Sequence, residues 1–471
     1  MPDTKEVIDD ANSKETVSEV EFDPAAEKAL LWKCDIWVVP ILFLLFLLSF
    51  IDRINIGNAR LQGLERDLNM EGHDYNIALF IFFIPYILLE VPSNLILKKV
   101  APSTWLSGII AAWGIVTVCQ GVTHSFVGWW CAVSSSARSR PVSSQTRINL
   151  FFSASIIAGA FSGLLAYAIA NMDGVAGYGA WRWIFILEGI ATVVIAVASK
   201  FIIADWPETA KFLKEDERRL LIARLAADNK GATMDRLDRK SIRRCLTDVK
   251  VYLGILMYFG IVNTGYATSF FTPTILNQLG WTAIMAQVMS IPVFVVATVV
   301  TLVCAVISDR MRHRYAFTLL GCGVATIGVS VGVRYMAVFM VTAGGFVAQP
   351  VVMAWVSNNM GGHYKRSIAS SMQIGFGNSG GLVASNVFLS SEKPGYPTGF
   401  GTSLGLVWIC VLSCTAFFWW CRRENRIRDA GGRDYRFSLP EDELNNIVIL
   451  QPKLAPQLGP SYSHPYGALP F

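Results

Sequence analysis

Apolar runs of about 20 residues recur along this chain, and nothing else in the sequence limits its fold as sharply. A soluble chain of 471 residues would divide into domains with polar surfaces. Here 53% of the residues are hydrophobic and the mean hydropathy is +0.44. The runs are long enough to cross a bilayer, so the fold class is an all-α polytopic membrane protein. Residues 1–30 are polar and acidic and hold no apolar leader core, so no cleaved secretory signal is expected. The net charge of +5 says little about nucleic acid, because the basic residues lie in short loops between apolar runs, and no nucleic-acid partner is expected. The nine cysteines show no metal spacing and the five histidines are scattered. No metal, cofactor or enzymatic motif is indicated, neither His-Glu-x-x-His nor Gly-x-Ser-x-Gly.

The first run, from Ile36, loses its uncharged character at Ile51, and Asp52-Arg53-Ile54-Asn55-Ile56-Gly57-Asn58-Ala59-Arg60 follows. To span a bilayer, the helix must carry Asp52 and Arg53 with it. On a helix Asp52, Asn55 and Ala59 share one face, and Arg53, Gly57 and Arg60 share another. Charges that deep face a bundle interior or an aqueous cavity, or Arg53 snorkels to the headgroups. Span 2 (Asn76–Leu97) holds Glu90 in mid-run, with Asn94 one turn on. Span 3 covers Ser103–Val122. A fourth span is due between residues 123 and 147, but only Phe126–Val133 is apolar, and Arg138, Arg140 and Pro141 follow. Spans 5 (Ile148–Ala170) and 6 (Ile184–Ala204) precede a charged linker at 205–250. Spans 7 (Val251–Pro273), 8 (Ala286–Ile307), 9 (Tyr315–Gly332), 10 (Tyr335–Ser357), 11 (Ile368–Ser390) and 12 (Leu404–Cys421) complete the count.

Lysine and arginine concentrate at 98–99, 211–250, 310–314, 365–366 and 422–436, whereas 171–181 and 278–285 hold none. The positive-inside rule places the first group in the cytoplasm, and all of it falls on one side only if twelve spans exist. The expected layout is a cytoplasmic tail at 1–35, a first transmembrane half at 36–204, the cytoplasmic linker, a second half at 251–421 and a cytoplasmic tail at 422–471. Small residues mark span 5 (Ser153, Ser155, Gly159, Ser162, Gly163) and span 11 (Gly375, Gly377, Ser379, Gly380, Gly381) and would let helices approach closely. Equivalent features six spans apart imply two parallel six-helix repeats.

The motif Asp52-Arg53-x-Asn55-Ile56-Gly57-Asn58-Ala59 resembles the major facilitator superfamily, and within it the fungal anion:cation symporters of the allantoate, nicotinate and pantothenate permease type. Glu90-x-Pro92-Ser93-Asn94-Leu95, Trp181-Arg182-Trp183-Ile184-Phe185 with Glu188-Gly189, Trp206-Pro207-Glu208-Thr209-Ala210, Ser308-Asp309-Arg310, Trp355-x-x-Asn358-Asn359 and Leu439-Pro440-Glu441-Asp442-Glu443-Leu444 carry the same likeness. It covers about 36–122, 145–328 and 333–446. The chain departs from the group where span 4 is missing, where span 9 is shortened before residue 333, and after Asn446. Abrupt loss inside a matched frame implies misplaced splice junctions or frameshifts in the deduced sequence, or else a real, inactive paralogue.

The resemblance implies proton-driven uptake of a small anion or ureide by alternating access, by a monomer in the plasma membrane or another membrane. The frame serves a nutrient sensor equally well. No Gly-x-x-x-x-Gly-Lys-Ser/Thr occurs, so an ion gradient is the remaining energy source. Glu90 is the first candidate for the proton and Asp52 the second, each against a structural pairing role. Arg53 is the candidate for the anion, and Arg182 more plausibly anchors the start of span 6. Asn55, Asn94, Asn263, Tyr266, Gln349, Gln373 and Asn378 are candidate polar lining, with interhelical hydrogen bonding as the alternative. Asp309 with Arg310, Arg312 and Arg314 forms a candidate conformational latch at the helix ends.

Overall fold

A computed structural model describes residues 24–81, 83–84, 101–123, 145–203, 210, 212–228, 246–311, 313–330, 334–360, 363–392 and 395–430. Among these the chain is helical and contains no strand. The first group of elements is α1 (Pro24–Ile54), α2 (Ile56–Leu61), α3 (Leu64–Asp67), α4 (Asp74–Phe80), α5 (Pro102–Val122), α6 (Gln145–Ile169) and α7 (Ala180–Ile202). A surface helix, α8 (Glu215–Asp228), lies in the linker. The second group is α9 (Val249–Gln278), α10 (Ala283–Met311), α11 (Arg314–Ser330), α12 (Arg334–Asn358), α13 (His363–Gly377), α14 (Ser379–Val387) and α15 (Pro397–Asp429). The region where a fourth span was expected, residues 124–144, lies outside the described residues, as do Glu90, Asn94 and Arg312.

Among the described residues, seven helices are long and apolar enough to cross a membrane by length and composition, namely 29–61, 103–122, 153–172, 180–202, 283–311, 334–358 and 397–427. Helix 314–329 is apolar but shorter. Expected spans 7 and 11 miss that standard as well, and most of span 2 lies outside the described residues. Helix α9 keeps Tyr258, Asn263, Thr264, Tyr266, Thr268, Ser269, Thr272 and Thr274 buried among other helices, so its composition reflects protein rather than lipid around it. The expected span 11 is broken at Asn378 into α13 and α14.

Helix α1 also differs from the expected tail boundary at residue 35, because it begins at Pro24. Proline suits a helix start, where its missing N–H would have had no partner. The added turns are held from outside: Leu30 and Cys34 are buried against Ala210 and Leu213, Trp37 stacks on Phe212 at 5.7 Å, and Lys33 pairs with Glu217 at 2.6 Å.

Two ends of the bundle can be told apart. The near end holds the start of α1, the Ser107–Ser199 hydroxyl pair at 2.9 Å and the cap of α9. The far end holds the segment 61–73. Packing between the two groups is close in the far part of the bundle. A Cβ on Gly57 would meet the Phe270 carbonyl oxygen at 2.6 Å, so only glycine lets α2 lie on α9 there. Asn76 donates to the Ser385 carbonyl at 2.7 Å, joining α4 to α14. Arg60 pairs with Glu65 at 2.8 Å and covers the Tyr75 ring at 4.1 Å; Tyr75 meets Phe271 edge-on, and Phe271 stacks on Phe388 at 4.7 Å. The small residues of α6 serve the same junction: a Cβ on Gly159 would fall 2.6 Å from the Phe294 ring of α10.

Candidate functional site

The site is built on the polar end of α1, where Asp52 and Asn55 face one way and Arg53 the other. Arg53 Nη1 donates to the Tyr266 hydroxyl at 3.0 Å, and that hydroxyl donates to Asn378 Oδ1 at 3.2 Å. One hydrogen-bonded chain thus links α1, α9 and the α13–α14 break. Tyr266 is held edge-on by Phe83 at 4.8 Å and stacked by Phe270 at 5.6 Å, and the guanidinium lies 5.1 Å from the Phe50 ring. The break at Asn378 places its side chain toward this junction.

Asp52 turns into the first group of helices. Its Oδ2 accepts from Trp113 Nε1 of α5 at 2.9 Å and from Thr192 Oγ1 of α7 at 3.0 Å. One turn on, Asn55 Nδ2 donates to Glu188 Oε2, and Asn58 Nδ2 donates to Asn55 Oδ1 at 3.1 Å. Asp52 and Glu188 are both buried. Glu188 was missed as a site residue in the sequence, where it figured only within a family motif. The available signal was that of Glu90, a single carboxylate in the middle of an apolar helix.

The other candidates sit apart from this junction. Asn263 Nδ2 donates to Ser403 Oγ of α15 at 3.0 Å, away from its neighbour Tyr266. The Gln349 amide lies against Gly265 and reaches the Ile261 carbonyl at 3.5 Å, so it packs α12 on α9. Gln373 is buried, and neither end of its amide has a hydrogen-bond partner among the described residues. Arg182 donates to the Gly121 and Thr123 carbonyls at 3.1 and 2.5 Å and lies 4.4 Å from the Trp181 ring, which makes it the tie between the far ends of α5 and α7. Asp309 and Arg314 pair at 3.7 Å across the turn from α10 to α11, within the second group, and Arg310 is exposed beside them. No cluster of metal ligands occurs among the described residues. The arrangement offers a cation, a phenol and an amide at a junction between two helix groups, with two carboxylic side chains in the wall behind.

Comparison with known proteins gives a consistent picture. Residues 42–385 match the model of the Major Facilitator Superfamily. The chain is 32% identical over 483 residues to the MFS-type transporter cnsO of Penicillium expansum, covering 92% of this chain and 93% of that protein. It is 26% identical over 426 residues to a high-affinity nicotinic acid transporter of Saccharomyces cerevisiae, covering 85% and 79%. A solved proton:xylose symporter has the same fold, with a TM-score of 0.60 at 14% identity over 83% of this chain and 96% of that one.

Proposed function

Because the chain belongs to the Major Facilitator Superfamily, and is therefore a multi-pass membrane transporter, we propose that it takes up a small organic anion by alternating access, driven by protons. The observation that carries this reading is the Arg53–Tyr266–Asn378 chain. It puts a permanent cation and two neutral hydrogen-bonding groups where the two halves part. A carboxylate entering there would exchange the phenol for itself on the guanidinium in a charge-assisted contact. The kinship to a named nicotinic acid transporter and the motifs of the anion:cation symporter group favour a nicotinate-, pantothenate- or allantoate-like substrate. The superfamily includes solved proton symporters, which fits an ion gradient as the energy source.

The basic segments 211–250, 310–314, 365–366 and 422–436 place the near end in the cytoplasm. On that orientation, the packing of α2 on α9 and of α4 on α14 closes the outer side. The proposal includes a plasma-membrane location and a monomeric carrier.

The test is uptake of radiolabelled nicotinate, pantothenate and allantoate by cells expressing the chain. Accumulation of one of them should collapse on addition of a protonophore. Arg53→Gln should lower uptake at least tenfold, the equivalent of one lost charge-assisted contact of about 1.4 kcal/mol or more. Uptake indifferent to the protonophore would end the proton reading. A cell that responds to the compound without accumulating it would make the chain a sensor.

A further inference from the structure

We infer that Glu188, set beside Asp52 across the contact of α1 with α7, is where the carrier binds its proton; the inference rests on the proton-driven reading above and supplies the residue for it. Two successive rungs join these helices. On the first, Asp52 of α1 accepts from Thr192 of α7 at 3.0 Å. On the second, Asn55, the residue between α1 and α2, donates to Glu188 of α7. Three residues separate Asp52 from Asn55 and four separate Glu188 from Thr192, so each rung is one helical turn from the other. The carboxylic groups alternate between the helices and lie side by side in one buried wall.

The surroundings of Glu188 set its chemistry. It is 7% exposed, and its Oε1 has no hydrogen-bond partner among the described residues. The elements packed on it bring few charges. Helix α1 brings Asp52 and Arg53, and the Arg53 guanidinium donates to Tyr266 on the other face of the helix. In α2, Arg60 is held by Glu65 at the far end. Helix α5 contains no charged residue, and neither does α6 over its described side chains 153–169. On α7 itself, Arg182 is bound to the end of α5, and Lys200 lies three turns toward the near end. No cation meets Glu188 among the described residues. An ionised Glu188 would leave one oxygen unsatisfied and set a second negative charge beside Asp52 in a dry wall, and a buried charge without a partner is costly. A proton on Oε1 removes both penalties.

The position suits exchange. Arg53 is adjacent in sequence to Asp52 and holds the candidate anion site on the other side of the same helix turn. A proton on Glu188 lowers the negative charge behind Arg53 by one when an anion approaches from the front.

The test needs no knowledge of the substrate. The purified full-length chain in lipid vesicles is treated with a hydrophobic carbodiimide, which attacks protonated carboxyls in apolar surroundings, and the adduct is located by mass spectrometry. Label on Glu188 should fall at least tenfold as the pH is raised from about 5 to about 9, through and beyond the usual carboxylate range. Glu188 labelled equally at every pH, or never labelled, would overturn the inference. Infrared difference spectra over the same interval provide a second reading. The protonated-carboxyl stretch should vanish in Glu188→Gln, and its midpoint should move by at least about one pH unit in Asp52→Asn. A band retained in Glu188→Gln, or unmoved in Asp52→Asn, would also overturn it. Transport indifferent to a protonophore, with Glu188 still titrating, would instead sink the proton-driven reading and leave the proton site standing.

Discussion

Replacing Gly57 by alanine should drive the far-end seal open. The added methyl carbon would stand 2.6 Å from the Phe270 carbonyl oxygen and 3.4 Å from its carbon, against an optimum of about 3.5–4.0 Å for carbon contacts. Both partners are backbone, so neither can turn aside, and relief requires α2 and α9 to separate. Overpacking of this kind costs about 1–3 kcal/mol. Alanine also favours the helix by about 0.5–1 kcal/mol over glycine, but α2 is helical whether or not α9 lies on it, so that gain cancels from the opening equilibrium. The cost falls on the sealed form alone and shifts the open-to-sealed ratio about 5–150-fold. Ser385 of α14 is fully buried in the same seal, and Ser385→Cys reports its opening. A membrane-impermeant maleimide applied to permeabilised cells should label that cysteine at least about fivefold faster with Gly57→Ala than without it. Gly57→Ala alone supplies the background from the native cysteines. Applied to intact cells, the same pair also reads whether the far end is outside. Equal labelling rates, or slower labelling, would show that the Gly57 contact does not hold the seal.

Two further outcomes are expected. Asp248 caps α9 through the Lys250 backbone N–H at 3.0 Å and binds Lys365 Nζ at 2.5 Å. Burial alone would lift its carboxyl, but Lys250 and the hydrogen bond and charge of Lys365 outweigh that and hold it below the usual range. Its stabilisation is therefore complete above the unfolded value of about 3.9 and is lost as the pH falls through the folded one. Asp248→Ala should cost about 1–2 kcal/mol, read as a lower melting temperature of the purified protein at neutral pH, with the gap to the wild type closing only in strong acid. A gap that closed between neutral pH and about pH 5 would refute the assignment. The second outcome concerns the fourth span. Arg138 and Arg140 would each cost about 2.5–3.5 kcal/mol at mid-membrane, so an apolar helix of about 20 residues substituted at 126–146 should raise both surface level and uptake. Equal values for the original and substituted chains would show a tolerated variation rather than a lesion.

Hydropathy located α5, α7, α10, α12 and α15, because a helix that faces lipid along much of its length must be apolar along much of its length. It lost discrimination at α9 and at α13–α14, where polar side chains such as Asn263, Thr264, Gln373 and Asn378 are buried within the protein. The division of α1 into an Asp52–Asn55 face and an Arg53–Gly57 face was legible from 3.6-residue geometry. Their partners were not. Tyr266 lies 213 positions from Arg53, and Glu188 lies 133 from Asn55, so each pairing depends on how one helix is rotated against another. Asn263 and Tyr266 show the same limit, since three residues of separation were enough to send one to α15 and the other to α1. Glu188 and Glu90 looked alike as lone carboxylates in apolar runs. Only the approach of Asn55 distinguished Glu188, and Glu90 lies outside the described residues.

Under the proposed alternating access, the two faces of α1 meet different fates when the halves rock. Asp52 with Trp113 and Thr192, and Asn55 with Glu188, are contacts within the first half, and rigid-body rocking preserves them. The Arg53–Tyr266 and Gly57–Phe270 contacts join first half to second, and separation of the halves breaks them. The proton site would then travel intact through the cycle, while the anion site is remade on each side of the membrane. Opening the seal costs Arg53 its phenol, and an incoming carboxylate can replace that partner. An empty carrier lacks such compensation unless Tyr266 returns, which links reorientation to occupancy. In this proposal, one backbone step from Asp52 to Arg53 is enough to hold the two ligands on opposite sides of a single helix, close enough to feel each other's charge, one within the first half and the other between the halves.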